Sequence, residues 1–534
     1  MNITADITVS SEPAIQDPPA VMMPPRALCE LVAGIPEARV FGEQDISIKD
    51  ITFDSRLVTP ESLFVALRGG YADGHRFIAD AAARGAVVVV VEVEAELERP
   101  PGVRAVVTVP DTRAALALIA ANWYQHPADA LTVIGVTGTN GKTTTTAMIG
   151  AVLDAGGARS ATLGTVEMKL GKSRWPNPNH QTTPESLHVQ RFLRQAVMAQ
   201  CAVAVLEATS HALAMHRLDG LPVDIAVFTN LSHDHLEFHG SFENYRDAKR
   251  SLFTRLDACG ERNRPRFAVV NADDPHAEDF LTATRHATPL TYGLGEGATV
   301  RATEITEGPD ATAFTLHLPT GSAPVSLATL GTYNVRNALA AAAVGYAHGF
   351  GATQIATGLA QWREVAGHLE RVEAGQPFRV IVDFAHTPMA FAALLDLLRR
   401  TTRGRLIAVF GSAGERDVAK RAMQGEAAAQ YADTAYLTNE DPRFEDARAI
   451  LRAIAAGCER HGWREGREFF TIRDRREAIF TALRAAQPGD TVALIGKGHE
   501  NSIIIGAVAV PWDEAAVARE GLRALGYGGK DGNE

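Results

Sequence analysis

A chain of 534 residues, 46% hydrophobic and 22% charged, has the composition of an ordinary globular protein, and is long enough for about three domains with cores of their own. A formal net charge of −11 excludes a broad electrostatic footprint for nucleic acid, though not a local basic pocket for a phosphorylated small molecule. Cys29, Cys201, Cys259 and Cys458 stand too far apart for a metal pair or disulfide framework, and no apolar run approaches the ~20 residues of a membrane span. With no visible secretory signal either, a cytoplasmic protein is expected.

Residues 1–26 carry five prolines and no periodicity, and read as a flexible tail. From 27 to 127 an α/β unit is expected. Its strands are Ile51–Thr52, ending in the polar turn Asp54-Ser55-Arg56, then Leu63–Leu67 and the β-branched run Ala86–Val91. The loop Arg68–His75, with Gly70, Tyr71 and Ala72, is compatible with a ligand site or with a simple corner.

A second unit is expected over 128–363, beginning with LTVIGVTGTNGKTTTT at Leu131–Thr146. The apolar run Leu131–Val136 predicts a buried parallel strand. It breaks at Gly138-Thr139-Asn140-Gly141, after which Lys142, Thr143 and Thr144 open a helix. A strand, a glycine-rich turn and a helix N-terminus together offer backbone N–H groups and a positive dipole end to phosphate. Lys142 would reach the terminal phosphates, and the Thr143 hydroxyl could bind Mg²⁺. The usual upstream glycine is displaced, since its place is held by Val136.

Thr182-Thr183-Pro184-Glu185 reads as a helix start with Pro184 at its first position. Strands are expected at Ala202–Leu206, ending in Glu207, at Ile225–Phe228, and at Ala268–Asn271. Residues 297–330 look like an appendage of short antiparallel strands, and Asn334 and Asn337 open an alanine-rich helix. A third, mostly parallel α/β unit follows over 364–534, with strands at Arg379–Phe384, Arg405–Phe410, Ala435–Thr438 and Thr491–Ile495.

Ligands of open α/β sheets bind beyond the strand C-terminal ends. Glu207 is the best-placed carboxylate for a hard cation. His233-Asp234-His235 with Glu237 and His239 is dense enough to be functional, or is a solvated polar turn. Lys249, within Tyr245–Arg250, looks like part of an ordinary charged helical face. Asp383 and His386, and Arg416 and Arg443, also follow strand ends, where such arginines clamp carboxylates or simply form surface ion pairs.

These segments together resemble the Mur ligases. The resemblance rests on Thr137–Thr144, Thr182–Pro184, Glu207–Leu213, Asn230–Gly240, Tyr245–Lys249, Asn334–Asn337, Asp383–Pro388 and Gly496–Glu500, and it accounts for the displaced glycine. Asp54-Ser55-Arg56 and Leu63–Leu67 are similar to the MurE branch specifically, and the resemblance as a whole covers roughly residues 45–515. The resemblance implies a three-domain α/β fold. A central P-loop ATPase-type, mostly parallel sheet is flanked by an N-terminal UDP-substrate domain and a C-terminal Rossmann-like domain.

It also implies an ATP-dependent amide ligase that adds a diamino acid to UDP-N-acetylmuramoyl-L-alanyl-D-glutamate through an acyl phosphate, in peptidoglycan precursor synthesis. By match, Thr143 and Glu207 hold one Mg²⁺, and His235 with a carbamylated Lys249 holds another. ATP would meet Gly138, Thr139, Asn140, Gly141, Lys142, Thr143, Thr144, Asn334, Asn337, Asp383 and His386. The UDP-sugar peptide would meet Ser55, Gly70, Tyr71, Ala72, Thr182, Thr183, Thr209 and Arg217. The amino acid would meet Arg416, Glu440, Asp441, Pro442, Arg443, Gly496 and Glu500.

Departures from the family pattern are specific. His368 stands where the family has arginine, with Arg371 as its possible substitute, and Met389 replaces an acid. The diaminopimelate signature Asp-Asn-Pro-Arg reads Glu440-Asp441-Pro442-Arg443, and the acid at Asp441 could instead favour lysine or ornithine. Two alternatives are a folylpolyglutamate synthetase-like ligase and a catalytically weakened nucleotide-binding paralogue acting as a regulatory module. Expected partners are small molecules, with no nucleic acid and no membrane insertion, and the chain is expected to be a monomer.

Overall fold

The computed structural model describes residues 20–69, 73–93, 99–177, 181–258, 264–308 and 310–528. Three mostly parallel sheets follow one another along the chain.

The first sheet has the strand order Arg39–Gly42, Ala105–Val109, Ala86–Glu92, Ser62–Val65, Asp50–Thr52. All its neighbours run parallel except the edge strand Arg39–Gly42. Val88 and Val90 face one apolar cluster while Val89 and Val91 face another, so both faces are covered, as a parallel sheet requires. The end of the stretch expected as a tail is ordered, since Val21 and Met23 pack on this core and Arg26 donates to Asn122 O at 2.9 Å, while residues 1–19 lie outside the described residues.

The central sheet has eleven strands. Its parallel middle runs Ser160–Leu163, Val203–Glu207, Thr132–Thr137, Ile225–Phe228, Phe267–Asn271, Thr288–Gly293 and Val300–Glu307. The phosphate-loop strand therefore lies between the strands that end in Glu207 and Phe228. Ile134 and Val136 enter one core while Leu131 and Val133 enter the other. A Cβ on Gly135 would stand 2.8 Å from Leu252 Cδ1, so glycine here lets the helix Phe242–Ala258 come close enough to bring Lys249 beneath the loop.

Residues 297–330 are not an appendage. Val300–Glu307, Thr312–Leu318 and Gly321–Leu327 continue the central sheet, and alternate side chains (Phe314, Leu316, Ala323, Val325) fill its core. Pro184 is not a first helical residue either. The helix runs Ser186–Met198 with Glu185 at its N-cap, which leaves the Glu185 carboxylate free to bind arginines.

The third sheet runs Glu370–Arg371, Arg379–Asp383, Thr491–Ile495, Leu406–Phe410, Thr434–Leu437, Phe469–Thr471, and is parallel apart from its first strand. Beside it lies the hairpin Ser502–Ile505 and Val508–Pro511. No described helix is long and apolar enough to cross a membrane.

Candidate active site

The loop after Thr132–Thr137 is held from the neighbouring strand end. Thr139 N donates to Asn230 O at 2.8 Å, Asn140 N to Asn230 Oδ1 at 3.0 Å, and Thr229 Oγ1 to Asn140 O at 2.7 Å. Gly141 caps the helix Lys142–Ala155 with φ 83°, and a Cβ there would lie 2.5 Å from Asn337 Oδ1. Both the left-handed backbone and the close amide require glycine. Asn337 accepts from Thr145 Oγ1 at 3.3 Å and donates to Asn334 Oδ1 at 3.1 Å, so both predicted asparagines lie under the loop.

Lys142 Nζ donates to Gly138 O at 3.0 Å and Thr139 O at 2.9 Å. Burial lowers its pKa, with Glu207 and Asp234 acting the other way. Lys249 Nζ reaches the same Gly138 O at 2.8 Å, lying 4.6 Å over the Tyr245 ring. It is 1% exposed, so it is no part of a charged surface. Burial, with Lys142 adding to it, holds Lys249 well below the ordinary lysine range. Neutrality is the state an amine needs to react with carbon dioxide.

Glu207, also 1% exposed, accepts from Thr143 Oγ1 at 3.0 Å on Oε2 and from Thr165 through both Oγ1 at 2.9 Å and N at 2.7 Å. Burial raises its pKa against these hydrogen bonds and Lys142. Thr165 was not singled out from sequence, because a lone threonine after a strand carries no spacing signal. Thr144 is buried within the first helical turn. His235 takes a left-handed backbone at φ 54°, and its ring stands edge-on to His211 at 4.7 Å. Burial lowers its pKa, while Asp234 works to raise it. Among the described residues no three His, Cys, Asp or Glu side chains converge as a ready metal cage. The donors present, a hydroxyl and a fixed carboxylate at a helix N-terminus, fit a Mg²⁺ that completes its shell with water and phosphate oxygens.

The third unit adds Asp383, which accepts from Leu369 N and Ala385 N at 2.7 Å each and is pushed up to about 6 by burial. His386 Nδ1 lies 3.0 Å from Phe384 O, and burial lowers its pKa. His368 stacks on His499 at 5.4 Å, and burial drives it down to about 3, so it does not replace an arginine's charge. Arg371 does not do so either. It donates to Asp310 Oδ1 at 2.7 Å, in a cavity of about 560 Å³ with Arg379, Gly489 and Asp490 where the strands begin.

Around the expected peptide site, Thr183 Oγ1 donates to Glu207 O at 2.6 Å and lies 3.3 Å from Thr209 Oγ1, while Thr182 Oγ1 lies 3.1 Å from Thr165 Oγ1. Arg217 donates to Thr183 O at 2.9 Å. Ser55 is buried in the turn that Asp54 caps. Gly70, Tyr71 and Ala72 lie outside the described residues.

In the expected amino-acid pocket, Lys497 is fully buried and was missed from sequence. Its Nζ donates to Asp441 Oδ1 at 2.8 Å and Glu500 Oε2 at 2.6 Å, and Ile504 N adds a 3.0 Å bond to Asp441. Asp441 is thus committed inside the protein, which removes the reason for expecting it to select an amine-ended side chain. Gly496 lies against Glu440 Oε2, and Arg443, at φ 52°, pairs its backbone with Ile504 just after Pro442. Arg416 lies apart, exposed, 3.9 Å from Glu237 of the central unit.

The sequence matches three families described as "Mur ligase family, catalytic domain" over 47–124, "Mur ligase middle domain" over 136–345 and "Mur ligase, glutamate ligase domain" over 367–498. It is 49% identical over 489 residues to a UDP-N-acetylmuramyl-tripeptide synthetase of Roseiflexus sp. (strain RS-1), covering 90% of this chain and 96% of that one. The chain is a Mur ligase of the MurE branch. This Mur ligase is also 41% identical to a UDP-N-acetylmuramoyl-L-alanyl-D-glutamate--2,6-diaminopimelate ligase of Geobacillus kaustophilus (strain HTA426), covering 93% and 100% of the two chains. A solved structure of a ligase so named superposes with a TM-score of 0.63 at 29% identity, covering 94% of this chain and all of that one. The Mur ligase is therefore an ATP-dependent ligase of three-domain α/β architecture.

Proposed function

We propose that this Mur ligase adds meso-diaminopimelate to UDP-N-acetylmuramoyl-L-alanyl-D-glutamate, with ATP and Mg²⁺, as a cytoplasmic monomer. The division into 27–127 for the UDP-sugar peptide, 128–363 for ATP and 364–534 for the amino acid belongs to the same reading. Its main support is the convergence of Lys142, Thr143, Glu207 and Lys249 on one loop, in a chain whose relatives carry these names.

The reaction moves the terminal phosphoryl group of ATP to the glutamyl carboxylate, after which the incoming amine attacks the acyl phosphate and releases phosphate. The N–H groups opening Lys142–Ala155 and the Lys142 ammonium offset charge on the transferring group. Bound Mg²⁺, held by Thr143 and Glu207 and by His235 with carbamylated Lys249, would neutralise further charge. Thr165 fixes both Glu207 oxygens, so no reorganisation is needed when charge develops. Thr182, Thr183, Thr209 and Arg217 orient the peptide. Arg443 is suited to a distal carboxylate by a paired hydrogen bond, and Asp441 offers no free charge to a distal ammonium.

The test is phosphate release with the UDP-muramoyl dipeptide and, in parallel, diaminopimelate, lysine and ornithine. Release dependent on diaminopimelate is expected, and equal or greater release with lysine would overturn the choice of amino acid.

A further inference from the structure

Glu185 stands between two arginines from different units of the fold. Arg113, on the first turn of the helix Thr112–Trp123, reaches its two carboxylate oxygens at 3.2 and 3.3 Å through one nitrogen. Arg217, of the central unit, reaches it through Nε at 3.1 Å and a terminal nitrogen at 2.9 Å. The three side chains are only 17%, 14% and 8% exposed for Arg113, Glu185 and Arg217. One carboxylate meets one of two positive charges. Burial lowers the pKa of Arg217, Glu185 opposes that, and Arg113 adds to it.

The outer nitrogens lead in opposite directions. Arg113 donates to Arg68 O at 3.0 Å in the first unit, and Arg217 donates to Thr183 O at 2.9 Å. Thr183 in turn bonds Glu207 O at 2.6 Å. Hydrogen bonds thus run from the Arg68 carbonyl in the first unit to the main-chain carbonyl of Glu207, the residue whose side chain faces the phosphate site. Adhesion between the units does not require it, because Leu187 already enters the first unit's core and Phe53 meets His188 edge-on at 5.6 Å. A buried ion group adds little to stability beside such contacts, but it fixes direction.

We propose that Arg113, acting through Glu185, is a positioning residue for the sugar-nucleotide peptide. It sets the direction of Arg217 and ties it to Arg68 of the first unit, holding the nucleotide and peptide ends of one substrate in register. An excess buried cation at this junction matches a substrate that is anionic along its length. The inference rests on the function proposed above.

The test compares steady-state constants of Arg113→Met, Arg113→Lys and Glu185→Gln with those of the unaltered enzyme. Arg113→Met should raise KM for the UDP-muramoyl dipeptide about tenfold, leaving KM for ATP and the saturated kcat within about twofold. Arg113→Lys should recover part of the loss, since it restores charge but not the fork. Where Arg113→Met lowers the melting temperature, Glu185→Gln, which keeps size and an acceptor, should show the same selective rise in KM. An active parent enzyme with unchanged dipeptide KM in both variants overturns this inference alone, as does an equal rise for ATP and dipeptide. A parent enzyme silent with the UDP-muramoyl dipeptide overturns the proposed function, and this inference with it.

Discussion

At the phosphate loop two lysines, Lys142 and Lys249, rest on the same carbonyl of Gly138, at 3.0 and 2.8 Å, and among the described residues neither forms an ion pair with a carboxylate. In the third unit Lys497 lies directly between Asp441 and Glu500, at 2.8 and 2.6 Å. The first arrangement holds the charge of Lys142 against neutral acceptors, which is costly until an anion arrives, and pushes Lys249 towards the neutral form. The second matches its buried cation within the protein, one ammonium held by two carboxylates. A site for ATP has to await a highly charged ligand, whereas a selective amino-acid pocket can silence an acid that would otherwise attract the wrong side chain.

Removing an awaiting charge should strike catalysis hardest. Lys142→Ala is expected to lower kcat by roughly 10³-fold with little change in melting temperature, measured as phosphate release at saturating substrates. Turnover close to that of the parent enzyme would break the comparison at its root. Lys249→Ala should cost about 10²-fold, and added acetate or formate should restore part of it if a carbamate oxygen is what the parent supplies. Failure of every short carboxylate to restore activity would leave Lys249 as packing beneath the loop.

Breaking the satisfied trio should instead strike stability. Lys497→Met leaves Asp441 buried without its cation and should destabilise the third unit by about 3–5 kcal/mol, read by denaturant unfolding. Adding Asp441→Asn should recover much of that loss, because the buried charge goes with it. A double variant no better than the single one would show that Lys497 matters for shape rather than charge.

Much of the fold was legible because both faces of each parallel strand are buried, so Leu131–Val136, Ala86–Val91 and Thr491–Ile495 stand out as largely apolar runs, the last two bounded directly by glycine and acid. Glu207, Lys142 and the asparagines were legible from motif and strand-end position. Lys249 was not legible from spacing. Its burial depends on Gly135 letting a helix approach, which no local pattern reports, and only the family resemblance marked it out. Glu185 and Lys497 were misread or missed for the same reason: their partners lie far away in sequence, at Arg113 and Arg217 in one case and at Asp441 in the other.

The smallest expected effect falls on Arg371, which sequence offered as a stand-in for the arginine that His368 displaces. Its guanidinium is engaged with Asp310 where the strands of the third sheet begin, while Asp383 ends the strand Arg379–Asp383 and His386 follows it at the opposite edge. Asp310 is 68% exposed, so the pair is screened and should contribute at most about 1 kcal/mol. Arg371→Met should therefore leave KM for ATP unchanged and shift stability only slightly. A rise in that KM with unaltered stability would mean that the third unit swings far enough to carry Arg371 to the phosphates. The contrast between charges that wait and charges already matched would then depend on domain position as well as on sequence.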